Sequence, residues 1–114
     1  DCEWMYLEHG LGMSIANQNI VGTRGQTQAD GFMGGKLSSS IVGGANSTNF
    51  NGIFPGFRGT DGSFSGGNVM WWTSTALVSN ASTRHLHTWN EGIVRNTPNN
   101  NSKSSGFSVR CLRD

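Results

Sequence analysis

The chain has 114 residues, of which 34% are apolar and 13% charged, with 17 glycines, four tryptophans and a formal net charge of +1. That length allows one domain, residues 1–114, around a single modest core. The near-neutral charge, without any Lys/Arg run, excludes the electrostatic footprint of nucleic-acid or anionic-lipid binding, and no apolar stretch reaches the ~18 residues that insert across a bilayer. Charged residues stand at about half the usual share, so solubility rests on Asn, Ser and Thr. Small polar residues beside tryptophans suit a loop-rich recognition domain, and equally a plain secreted β domain. The chain opens at Asp1 without an initiator Met or a signal-like apolar segment, so a leader or upstream region is expected outside these residues.

Residues 1–12 carry a helix signal. Trp4, Leu7 and Leu11 recur at helical spacing to form one apolar stripe, Asp1 is the N-cap, and Gly10 or Gly12 ends the helix. Glu3 and Glu8 are expected on its solvent side. Ser14 caps a second short helix through residues 15–19. From Ile20 to Phe50 periodicity is lost, and a long irregular connection is expected, pinned at Val21, Phe32, Met33, Leu37, Ile41 and Val42. Gly34-Gly35-Lys36 lacks the spacing of a phosphate-binding loop.

Strand signals follow in quick succession. Gly52–Gly59 contains Pro55 and reads as an edge or bend, Thr60-Asp61-Gly62 as a turn, and Ser63–Ser65 as a short strand. Val69–Ala76 mixes β-branched and aromatic residues and reads as a central strand. Ser82–Trp89 and Ile93–Thr97 flank Asn90-Glu91-Gly92, a hairpin connection. Pro98–Ser105 reads as loop and Phe107–Leu112 as a final strand. Helices first and short antiparallel strands after make an α+β fold.

Within Ser82–Trp89, alternation puts Arg84 and Leu86 on one face, with Leu86 toward the core. It puts Thr83, His85 and His87 on the accessible other. That row reads as a binding surface or as an ordinary solvated strand face. His85 and His87 have a spacing that can ligate a metal, but no third ligand is adjacent in sequence, so no metal is assigned. Asp61, Glu91 and the histidines are not brought together by spacing, so no catalytic residue and no cofactor is assigned. Sequons at Asn46, Asn80 and Asn100 are expected by chance in so Asn/Ser-rich a chain. Cys2 and Cys111 form either a bridge closing a loop of more than 100 residues, worth about 4–5 kcal/mol, or two unrelated buried thiols.

The segments EWMYLEHGLGMS, FPGFRGTDGSF, WWTST and GFSVRCLRD, in that order, resemble the Fibrobacter succinogenes major paralogous domain over nearly the whole chain. The resemblance implies a C-type-lectin-like α+β fold related to the formylglycine-generating-enzyme branch. Short N-terminal helices, short antiparallel strands, long irregular loops and adjacent termini are its expected features. Adjacent termini favour the Cys2–Cys111 bridge. Relatives carry an upstream cysteine as the natural partner of the one in VRC, so either Cys2 substitutes for it or Cys111 has lost its partner.

The frame residues Trp71, Trp72, Arg84, Leu86, Arg95, Gly106, Phe107 and Arg110 match the family pattern. The chain departs from it at Ser82, Thr83, His85, His87 and Thr88, where relatives tend to have aromatics. A fixed frame with altered display positions resembles the variable proteins of diversity-generating retroelements. The expected binding residues are therefore Ser82, Thr83, His85, His87, Thr88, Trp89, Asn90, Asn96, Thr97 and Asn99, with Trp89 as hot spot. Formylglycine-generating activity needs a pair of neighbouring cysteines near the C-terminus, where this chain has only Cys111. Calcium-dependent sugar binding needs a Glu-Pro-Asn or Gln-Pro-Asp segment that is absent, although Trp89-Asn90-Glu91 approaches its second motif.

The resulting expectation is a non-enzymatic ligand-binding domain outside the cell, on a cell or virion surface, recognising a protein or glycan receptor. A structural surface module and a carbohydrate-binding module are the alternatives.

Overall fold

A computed structural model describes residues 1–39 and 44–111. Helix α1 runs Cys2–Gly10 and α2 runs Ile15–Gln18, the latter capped by Ser14, whose Oγ accepts the Asn17 N–H at 3.2 Å. Gly12, at φ +109°, turns the chain between them. The expected irregular connection contains a strand β1 (Gly22–Arg24), a 3₁₀ turn (Gln28–Asp30) and a helix α3 (Met33–Leu37). Of its expected anchors, Met33 and Leu37 are fully buried, whereas Val21 and Phe32 are exposed. Ile41 and Val42 lie outside the described residues.

Strands β2 (Phe57–Arg58) and β3 (Phe64–Ser65) form a small hairpin. Strands β4 (Asn68–Ala76), β5 (Ala81–His87) and β6 (Asn90–Asn96) join β1 in an antiparallel sheet of order β1-β6-β5-β4. The fold is thus α+β. The strand expected to be central, β4, ends the sheet instead. Its outer edge is covered by parallel single bridges from Gly56 to Val69 and from Ser108 to Trp71, which satisfies groups that an open edge leaves unpaired. Of the expected final strand Phe107–Leu112, the described residues keep the Ser108 bridge, with an antiparallel bridge from Gly106 to Arg58 just before it; Leu112 lies outside the described residues. The β5–β6 connection is Thr88-Trp89, with His87 opposite Asn90, two residues before the expected Asn90–Gly92 turn.

The core packs Met13, Met33, Leu37, Val69, Trp71, Leu86 and Ile93 between sheet and helices, with Trp4, Leu7 and Leu11 of the predicted stripe against it. Trp4, Phe50 and Trp71 make a ring cluster with centroids 5.4–5.6 Å apart. Phe107 packs on Trp72 at 4.4 Å, and the Arg110 guanidinium lies 4.0 Å over the Phe50 ring. Of the frame residues, Trp71 and Leu86 sit in the core, while Trp72, Phe107 and Arg110 form ring contacts outside it.

One expectation is reversed at Glu8, which is fully buried rather than solvated. Its Oε2 meets Arg24 Nη2 at 2.5 Å and its Oε1 accepts from Arg84 Nε at 2.8 Å. Asp1 makes no side-chain cap bond to α1. Its carboxylate pairs with Arg84, and also with Arg95 Nη2 at 2.7 Å. Two carboxylates of α1 and its cap thereby clamp the helix to three arginines on β1, β5 and β6. Burial pulls the Arg24 pKa down to about 10, opposed by Glu8, which leaves the guanidinium charged at neutral pH.

Cys2 and Cys111 are both free and exposed, so neither the bridge nor the pair of buried thiols is found. Cys2 shares an apolar hollow with Met5, Tyr6, His9 and Ile15, while Cys111 lines a different cavity with Trp4 and Leu7. The two thiols open onto different faces of α1.

Candidate functional site

The β5–β6 hairpin is held from below by a close backbone approach. A side chain on Gly34 of α3 would meet the Gly92 and Glu91 backbone at 2.6–2.8 Å, so only glycine lets α3 lie flat against the hairpin. Gly34 serves packing here, while a side chain on Gly35 would meet nothing within 4 Å.

Above this contact, a cavity of about 300 Å³ is lined by Gly34, Gly35, Ser38, Phe54, His87, Thr88, Trp89, Asn90 and Glu91. Its walls are mainly polar. Trp89, 70% exposed, stands at the rim with its ring 4.3 Å from that of His87. His87 is fixed in turn: its Nδ1–H donates to Asn68 Oδ1 at 2.8 Å, and its Nε2 lies 2.7 Å from Nε2 of His85. An amide oxygen only accepts, so His87 carries its proton on Nδ1 and receives the His85 Nε2–H. Burial, with His87 adding to it, lowers the His85 pKa to about 4, and burial also lowers that of His87. Both imidazoles are therefore neutral at pH 7.

A larger cavity of about 500 Å³ lies between α1 and β4, lined by Trp4, Leu7, Phe50, Trp72 and Arg110 among others. It holds none of the predicted display residues, and its aromatic walls belong to the frame. The polar cavity at the hairpin tip is the better candidate because the predicted binding residues converge there.

The structure divides those residues into three sets. His85, His87, Thr88, Trp89 and Asn90 gather at the tip. Asn96, Thr97 and Asn99 follow the far end of β6, about 20 Å away along the strand. Ser82 and Thr83 are 2% and 0% exposed and display nothing. Thr83 Oγ1 accepts from Asn96 Nδ2 at 3.3 Å and from the buried Asn101 Nδ2 at 3.2 Å. The loop after β6 folds over this end of the face, which strand alternation cannot anticipate. Gly34, Ser38, Phe54, Asn68 and Glu91 were not singled out as site residues. A diglycine opening a short helix was the available signal for α3, whereas Asn68 carries none.

Among the described residues no group of three or more His, Cys, Asp or Glu gathers as a metal cluster, and none of the described helices is long and apolar enough to cross a membrane.

The model of the Fibrobacter succinogenes major domain matches residues 1–113. The chain belongs to that family. No curated protein and no solved structure gives a significant match. In this Fibrobacter succinogenes major domain, the segments that carry the likeness build the frame: Trp4 of the first, Phe54 of the second and Trp71 of the third all pack in or on the core.

Proposed function

We propose that this Fibrobacter succinogenes major domain is a non-enzymatic ligand-binding module that recognises a protein or glycan receptor through the β5–β6 tip. The reading is carried by Trp89, an indole left 70% exposed at the rim of a polar cavity. Apolar area of that size gains roughly 25 cal/mol per Å² when a partner covers it. An aromatic anchor ringed by polar groups is also the usual form of a binding hot spot. His87, Asn68 and the α3 contact hold the tip in place, so a partner meets a preorganised surface and less ordering cost opposes binding.

The finer readings rest on the resemblance set out above. In them the scaffold is C-type-lectin-like, and the tip positions His85, His87, Thr88 and Asn90 are those a diversity-generating retroelement rewrites. The protein then works outside the cell, on a cell or virion surface. An exposed Trp beside hydroxyl and amide groups also suits stacking on a sugar ring, so a glycan stands beside a protein among the receptor classes.

Two measurements test the proposal. The first screens the purified domain against a glycan array and a panel of surface proteins, then repeats each hit with Trp89→Ala. Hits that vanish in a variant of unchanged melting temperature support the tip; hits indifferent to both Trp89→Ala and His87→Ala sink it. The second sequences the 3′ end of the gene across many isolates. Substitutions concentrated at the tip, with Trp71, Leu86 and Arg110 unchanged, support diversification, and uniform low variation removes it.

A further inference from the structure

The facing imidazoles of His85 and His87 hold chemistry that ligand contact does not require. Their Nε2 atoms lie 2.7 Å apart. Two metal–nitrogen bonds of about 2.0–2.1 Å span roughly 2.9 Å at a right angle and roughly 3.4 Å at the tetrahedral angle. An opening of roughly 0.2 Å for the right angle, or roughly 0.7 Å for the tetrahedral one, would seat an ion between them. The β5–β6 ladder shifts register between His85 and His87, and such irregularities re-aim side chains and loosen pairing at the point where that opening is needed.

One of the two outer partners is also in place. A ligating imidazole commonly donates its other N–H to an oxygen that fixes its tautomer and orientation. His87 does so through Nδ1 to Asn68 Oδ1 at 2.8 Å. His85 Nδ1 is buried without a hydrogen-bond partner, so that atom is left unpaired whether or not it carries the ring proton.

We propose that His85 and His87 form a two-imidazole site for a borderline divalent transition ion, Cu²⁺ or Zn²⁺, bound through both Nε2 atoms. The His85 ring proton moves from Nε2 to Nδ1, the hydrogen bond between the rings is replaced by two metal–nitrogen bonds, and no net proton is released at neutral pH. Water fills the remaining coordination positions. Imidazole donors select this class of ion over Mg²⁺ and Ca²⁺, which take oxygen ligands. The site does not depend on the receptor-binding reading, because the ion alone is the probe.

The test is a titration of the Cys2→Ser/Cys111→Ser protein, which removes the competing thiols, with Cu²⁺ and separately with Zn²⁺. The readouts are tryptophan fluorescence and the imidazole proton resonances of the three histidines. Trp89 lies 4.3 Å from the His87 ring, so bound Cu²⁺ quenches it. The expected result is saturable one-to-one binding that broadens the His85 and His87 resonances and spares His9. Affinity falls at least ~10-fold in His85→Gln or His87→Gln, and about 10-fold in Asn68→Ala. No saturable quenching, or binding unchanged in both histidine variants, overturns the site. The resonance measurement on the wild-type rings keeps the proposal testable if a histidine variant fails to fold, because broadening of His9 alone would also overturn it.

Discussion

Glu8 and Arg84 stand 76 positions apart in the chain, yet Arg84 Nε donates to Glu8 Oε1 at 2.8 Å with both side chains fully buried. This pair, extended to Arg24, locks α1 onto the sheet that carries the candidate site. A buried carboxylate between two guanidiniums satisfies charges that would otherwise be costly to hold away from water.

Glu8→Ala is therefore expected to destabilise the fold by about 3–5 kcal/mol, because it leaves Arg24 and Arg84 buried without their shared counter-charge. Urea unfolding of the variant and the wild type measures it. A loss below ~1 kcal/mol would mean that the arginines regain solvent at little cost.

The two neighbouring glycines of α3 make opposite predictions. Gly34→Ala meets the Gly92 and Glu91 backbone at 2.6–2.8 Å, whereas a side chain on Gly35 meets nothing within 4 Å. Gly34→Ala is expected to cost about 1–3 kcal/mol through overpacking. Gly35→Ala is expected to stabilise by about 0.4–1 kcal/mol by restricting the unfolded chain. Thermal melts of the two variants side by side decide it, and equal effects would contradict the close approach.

Thr83 and Trp89 separate structure from display. Thr83→Val leaves the buried Asn101 amide without its acceptor and is expected to cost about 1–3 kcal/mol. Trp89→Ala touches an exposed ring and is expected to change stability by no more than about 0.5 kcal/mol, while weakening receptor binding by about 2 kcal/mol or more. Chemical denaturation together with a binding assay reads both.

Free thiols at Cys2 and Cys111 predict that a thiol reagent titrates both cysteines in the native protein. The melting temperature is expected to be indifferent to reductant. A reductant-sensitive melt with no reactive thiol would instead restore the bridge.

The depressed His85 pKa predicts acid sensitivity in the metal-free protein. The unfolded side chain takes its proton near 6.5 and the folded one near 4, so between those values the unfolded state binds more protons and stability rises with pH. Stability is expected to be level above pH 6.5 and to fall as pH drops from there to 4. His85→Gln should flatten that slope. Urea midpoints across this range, with EDTA present, give the comparison, and an unchanged slope in the variant would show that other groups set it.

Local patterns were legible in the sequence wherever short-range physics governs. The Trp4, Leu7 and Leu11 stripe, the Ser14 cap, the small hairpin around Asp61 and the inward Leu86 all follow from spacing and cap chemistry within a few residues. The hairpin turn was misplaced by two residues because Asn90-Glu91-Gly92 carries turn-type residues. In the structure Gly92 is needed instead for crowding, since a side chain there would meet Gln26 and the Arg24 carbonyl oxygen at 2.7–2.8 Å.

By itself the sequence determined that two short helices open the chain, that it is α+β, and that a polar hairpin near its C-terminus carries Trp89; it did not show that β1 precedes a third helix, α3. Tertiary structure alone decided that Glu8 is buried, that β4 ends the sheet, that Thr83 is a core group and that His85 faces His87. Each of those outcomes depends on which distant segment covers a face. Burial of a charge needs a counter-charge from elsewhere in the chain, and strand alternation names two faces without saying which loop returns over one of them.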